Sequence, residues 1–393
     1  MYLKIIILAF SLLFLIDINS TAHATMGEIA DNEQLFNIPN EWTESEEMQA
    51  QWQQILMKYR EYLPVSSNDH WLDAVREGSI FSINDWLTGI MNFFIHEWIV
   101  NGKLLGMLIF LTLLSVFLKL LIGSFENESV SKVSYLVIFA VLLTIAITSF
   151  HQAVQLTTDA INGMGNFMLA LLPLMLSLMA AFGNVASVAF FHPLILIFVQ
   201  ISGVLISKIV LPLFFLSAIL NIASTINEEY NVTRLADLIK QVAFIILGAF
   251  LTLFVSVMSI QGVTAAVTDG VAIRAAKFVT SNFIPVIGRM FTEATDTVLS
   301  ASVLLKNSIG LAGVVLMLII TLFPAIKVLV IGLIFKLSAA LLQPVADGPI
   351  IDAIETMGKH IFYILAGLLA VSIMFFFAIV MLIIVGNMTL MVR

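Results

Sequence analysis

The apolar residues of this chain are gathered into blocks of membrane-crossing length, and no other feature limits the possible folds as much. Residues 104–122, 190–211, 241–261, 313–335 and 361–386 each reach or exceed the roughly 18–20 residues that carry a helix across a hydrocarbon core. Polar backbone groups cannot be left open in lipid, so blocks of this kind fold as helices. The composition agrees: 60% of the 393 residues are hydrophobic and 11% are charged, against roughly a quarter charged in a soluble domain. That excludes a large soluble enzyme. The chain has no cysteine, which excludes disulfides, thiolate metal sites, thiol nucleophiles and iron–sulfur clusters.

Charge divides the chain. Residues 25–103 hold 13 acidic and 4 basic residues, a net of −9, and all five tryptophans; residues 104–393 hold 12 acidic and 13 basic residues. The expected organisation is a signal peptide over 1–24, an acidic tryptophan-rich extracytoplasmic helical domain over 25–103 and a polytopic domain over 104–393. Lys4, the apolar run Ile5 to Ile16 and the ending Ala22-His23-Ala24 fit a cleavable secretory signal, with an uncleaved anchor as the alternative. Thr43 with Glu46 and Ser82 with Asp85 are capping-box patterns. The first opens a helix with Met48, Trp52, Ile55, Tyr59 and Tyr62 on one side. The second opens an aromatic-rich helix through Trp86, Ile90, Phe93, Phe94 and Trp98, which either packs on a neighbour or lies on the membrane surface.

About seven spans are expected, near 104–122, 133–150, 166–182, 190–211, 241–261, 313–335 and 361–386, with 166–211 open to a re-entrant reading. An outside N-terminus then gives a cytoplasmic C-terminus and an internal 262–312 connection bearing Arg274, Lys277, Arg289 and Lys306. That connection is too apolar for a solvated loop, yet Pro285 and Gly288 interrupt it. The spacing Lys277 to Pro285-Val286 recurs as Lys336 to Pro344-Val345, followed by Asp347, as though a unit with a broken helix occurs twice. Asp269, Lys277, Pro285, Gly288, Lys306, Asn307, Gly310, Lys336, Pro344 and Asp347 are the candidate structural or gating residues, and Arg274 and Arg289 the candidate docking residues.

The run Asp269-Gly270, Phe283-Ile-Pro-Val-Ile-Gly288, Asp296-Thr-Val-Leu299 and Leu305-Lys-Asn-Ser-Ile-Gly310 resembles the stage III sporulation protein AE family of endospore-forming bacteria. The resemblance implies a multi-pass protein of the mother-cell membrane around the forespore. It further implies a subunit of a channel or feeding-tube complex needed for late forespore gene expression. Implied partners are the other proteins of the same operon: a cytoplasmic ATPase, ring-forming single-span proteins and, through them, a forespore membrane protein.

The residues themselves carry little chemistry. No phosphate-binding loop, G-x-S-x-G elbow or H-E-x-x-H motif occurs, and no basic cluster with interleaved aromatics supports nucleic-acid binding. The histidines are scattered and read as surface or interface residues, and no cofactor is expected. Charges in or beside spans are better candidates, above all Lys327, which follows Pro324 within the 313–335 block. Gly102 and Gly106 suggest a close helix contact. The expected function is therefore that of a non-enzymatic membrane subunit, with a stand-alone secondary transporter as the alternative.

Overall fold

The computed structural model of the protein describes residues 46–64, 83–122, 128–181, 183–226, 232–283, 287–344 and 348–391. Its elements are helices throughout: α1 (Glu46–Tyr59) with a 3-10 turn (Arg60–Tyr62), α2 (Ile83–Val100), α3 (Gly102–Ile122), α4 (Glu128–Ala181) and α5 (Val185–Leu205). A π-helical turn (Ile206–Val210) leads into α6 (Leu211–Ile226), followed by α7 (Thr233–Phe283), α8 (Ile287–Leu342) and α9 (Pro349–Met391). Among the described residues there is no strand. The all-helical polytopic architecture expected from the apolar blocks is what forms.

Among the described residues, six stretches are long and apolar enough to cross a membrane: Asn84–Phe117, Val137–Ala181, Val185–Thr225, Thr233–Ala275, Ile309–Leu342 and Pro349–Val385. The count is one below the expected number because α4 runs unbroken for 54 residues, about 80 Å at 1.5 Å per residue. It joins the blocks 133–150 and 166–182 through residues 151–165, which their polarity marks as a loop. Ala153, Thr157, Ala160, Ile161 and Met164 are buried along this stretch, and their helical spacing makes it one amphipathic helix. The 262–312 connection is helical on both sides of its interruption: α7 runs to Phe283 and α8 starts at Ile287.

α8 and α9 form the centre of the bundle. Lipid tails are as apolar as leucine, so helices associate in membranes by close packing at small residues. A Cβ on Gly332 would stand 3.2 Å from Ile361, and one on Gly358 would stand 3.2 Å from Phe335. The N-terminal helices join this centre. Met48, Trp52, Ile55 and Leu56 of α1 are buried. Tyr59 stacks on Phe323 of α8 at 4.2 Å, and Phe93 of α2 meets Phe323 edge-on at 4.7 Å. Of the two readings of the α2 aromatic stripe, packing is therefore the observed one. Gly102 and Gly106, in contrast, have nothing within 4 Å of a built Cβ, so the expected close helix contact does not form there.

Candidate functional site

Polar groups inside the bundle form separate junctions, each tying together helices far apart in sequence. One of them is built on Asp269. The turn between α4 and α5 passes through Gly183, whose φ of 83° a side chain rarely adopts, and Asn184 supplies no side-chain cap to α5. Asp269 of α7, only 2% exposed, takes that role across the bundle. Its carboxylate accepts from the Ala186 N–H at 2.8 Å, the Ser187 N–H at 2.9 Å and the Ser187 hydroxyl at 2.5 Å. The charge satisfies free N–H groups at the positive end of α5.

The other candidate residues are scattered. Gly310 sits where α8 meets α9 and α4: a Cβ there would lie 2.5 Å from Ile383 and 3.4 Å from Met175. The Asn307 Oδ1, one turn earlier, is buried without a hydrogen-bond partner. Lys336 is exposed, its ammonium 5.9 Å above the Phe362 ring. Pro344 is exposed at the end of α8, and Arg274 is exposed on α7. Lys277, Gly288, Arg289 and Lys306 fall on the helical backbone of α7 and α8, their surroundings outside the described residues. Pro285 and Asp347 also lie outside them. Of those whose surroundings are described, Asp269, Arg274, Gly310, Lys336 and Pro344 are not gathered into one site.

Two junctions were not legible as such. Lys327 pairs with Glu97 of α2 at 3.1 Å, and Glu97 is 6% exposed and also accepts from Asn101 at 3.2 Å. The Lys327 ammonium stands 5.7 Å from the Phe93 ring centre. Burial, and next the Glu97 carboxylate, push the Tyr59 phenol up to about 12. An acidic residue on an apolar helix calls for a cation, and Lys327 was the conspicuous one; that was the available signal. In the second junction the Ser217 hydroxyl of α6 donates to Ala236 O at 2.8 Å and lies 3.1 Å from His360 Nε2. His360 Nδ1 is 2.8 Å from Thr356 O. Here the interface reading of the histidine is the correct one. At mid-bundle, Ser372 donates to Thr321 at 2.9 Å, with Met164 Sδ 3.1 Å from the same hydroxyl. Among the described residues no group of histidine and carboxylate side chains is arranged to hold a metal ion.

The family model described as stage III sporulation protein AE matches residues 66–386 of the chain. A curated relative of that name from Bacillus subtilis (strain 168) is 48% identical over 342 residues, covering 87% of this chain and 86% of the relative. No solved structure matches.

Proposed function

Because this chain belongs to the stage III sporulation protein AE family, we propose that it is the multi-pass, non-enzymatic subunit of a complex joining mother cell and forespore. Membership carries the sporulation role. Support for the finer reading comes from six apolar helices of spanning length and from polar residues used in helix junctions rather than gathered around a reacting centre. The complex draws its energy from a partner, the cytoplasmic ATPase of the operon, because this chain carries no phosphate-binding loop.

Orientation follows from the number of spans. An even number returns the chain to its starting side. With an exported N-terminal segment, the α7–α8 connection and the C-terminus are extracytoplasmic, contrary to the seven-span expectation. Lys119, Lys132, Arg234, Lys240, Lys336 and Lys359 then flank the short cytoplasmic connections, while Arg274, Lys277, Arg289 and Lys306 stand at the extracytoplasmic α7–α8 connection, so charge alone does not select the orientation. The ATPase accordingly docks on that face and not on Arg274 and Arg289. The reading is tested by deleting the gene and following a late forespore reporter. Loss of the reporter, restored by the wild-type chain, is expected; normal late expression in the deletion strain would reject it.

A further inference from the structure

The face that α4 turns away from the bundle is polar over the stretch where it passes through the apolar spans. Its exposed residues recur every three or four positions, and from His151 through Gln155, Asp159 and Asn162 to Asn166 all of these are polar. That stripe covers about 23 Å of helix, most of the roughly 30 Å hydrocarbon core. The opposite face of the same helix packs inside the apolar bundle. Phe150 lies 5.2 Å from Phe215, Gly163 approaches Ile320, Gly165 approaches Val199, and Met164 touches Thr321. Each of these partners belongs to an apolar spanning stretch. The outer face of α7 is more apolar: among Thr252 and Ser256 it exposes Ile245, Leu253 and Ile260.

A complementary feature sits beside the stripe. α4 and the α5–α6 segment run antiparallel, with Gly165 opposite Val199 and Phe150 opposite Phe215. By that register Asp159 lies within a turn of Lys208 in depth. Lys208 is exposed on the π-helical turn, a distortion often found at functional sites. Neither charge has an ion-pair partner among the described residues. Two buried hydroxyls on the same level, Thr157 Oγ1 and Ser207 Oγ, have no hydrogen-bond partner. Lipid tails complement none of these groups, and ionisable side chains in spans face protein or water.

We propose that this stripe lines a water-filled conduit for hydrated polar or ionic solutes, its wall completed by further copies of this chain, with Asp159 of each copy beside Lys208 of the next. A cyclic arrangement joins two different patches of one chain at every interface. An anion and a cation at equal depth on neighbouring elements meet that requirement. The inference deepens the subunit reading above by assigning this chain a share of the conduit wall.

The chain's lack of cysteine permits a direct test in membranes from sporulating cells that carry single-cysteine variants. A charged thiolate-selective methanethiosulfonate should modify Gln155→Cys and Asn162→Cys at least about tenfold faster than Ile245→Cys and Leu253→Cys, because only a hydrated thiol ionises. Two differently tagged copies, one Asp159→Cys and one Lys208→Cys, should form an oxidative cross-link carrying both tags. Equal, slow labelling at both faces overturns the conduit, and fast labelling without a cross-link between copies overturns the same-chain wall. Failure of either measurement, in strains whose late forespore expression still depends on this chain, removes this proposal alone. A deletion strain that sporulates normally removes the subunit reading instead.

Discussion

Glu97 and Lys327 show how a single pair of residues can fix the placement of a helix. A carboxylate 6% exposed is tolerable on an apolar helix only with its cation in place, because an uncompensated buried charge costs several kcal/mol, whereas an apolar replacement of both partners is often neutral. Lys327→Met should therefore destabilise the protein by about 3–5 kcal/mol. Glu97→Gln combined with Lys327→Met should recover most of that loss. Thermal unfolding of the purified full-length chain in detergent checks both, and a single variant as stable as wild type would show that the pair contributes little. Asp269 follows the same logic with different partners, since its charge is held by backbone N–H groups instead of a lysine.

Single elements are held by close approach at small residues, and Gly310 is the sharpest case. A Cβ at Gly310 would lie 2.5 Å from Ile383 Cγ1 and 2.6 Å from its Cδ1, so the Ile383 side chain must turn away or α8 and α9 must part to admit it. Gly310→Ala should cost about 1–3 kcal/mol, in the range of overpacked cores, and Ile383→Ala in the same chain should return part of it. Gly106→Ala, with open space around it, serves as the control, and equal melting temperatures for the two glycine variants would contradict the packing account. The sequence made elements of this kind legible wherever apolarity was continuous: the blocks at 241–261 and 313–335 lie within helices of spanning length, and 361–386 passes the end of another, at Val385, by one residue. It misled at 151–165, where polar residues on one side of α4 outweighed the buried Ala153, Ala160, Ile161 and Met164 on the other. In water such polarity marks a loop, but on a helix it marks only a face. The candidate residues fared likewise. Asp269 and Gly310 lie at real junctions, while Glu97 and Ser217 depended on partners 230 and 143 positions away, which no local pattern discloses.

At the scale of the molecule, the continuity of α4 decides which surfaces meet which compartment. A break at 151–165 would give an odd number of spans and opposite sides for the two flanks. One unbroken helix leaves six described stretches of spanning length, and if each crosses once the segment before α2 shares a side with the end of α9. The difference is directly measurable, because every introduced thiol is unique in this chain. With the N-terminal segment exported, Asn68→Cys and Met391→Cys should both react with an impermeant maleimide on intact protoplasts of non-sporulating cells made to express the chain, where the extracytoplasmic face is the outer surface. Gln343→Cys, exposed at the end of α8, should react only after lysis. The basic residues do not decide between the two counts: six spans put Arg234, Lys240, Lys336 and Lys359 on the cytoplasmic side and Arg274, Lys277, Arg289 and Lys306 outside, and seven spans reverse both sets. If Met391→Cys labels only after lysis while Asn68→Cys labels on intact protoplasts, the chain crosses an odd number of times. The 151–165 stretch would then have to leave the bundle, and the cytoplasmic docking face would return to Arg274 and Arg289.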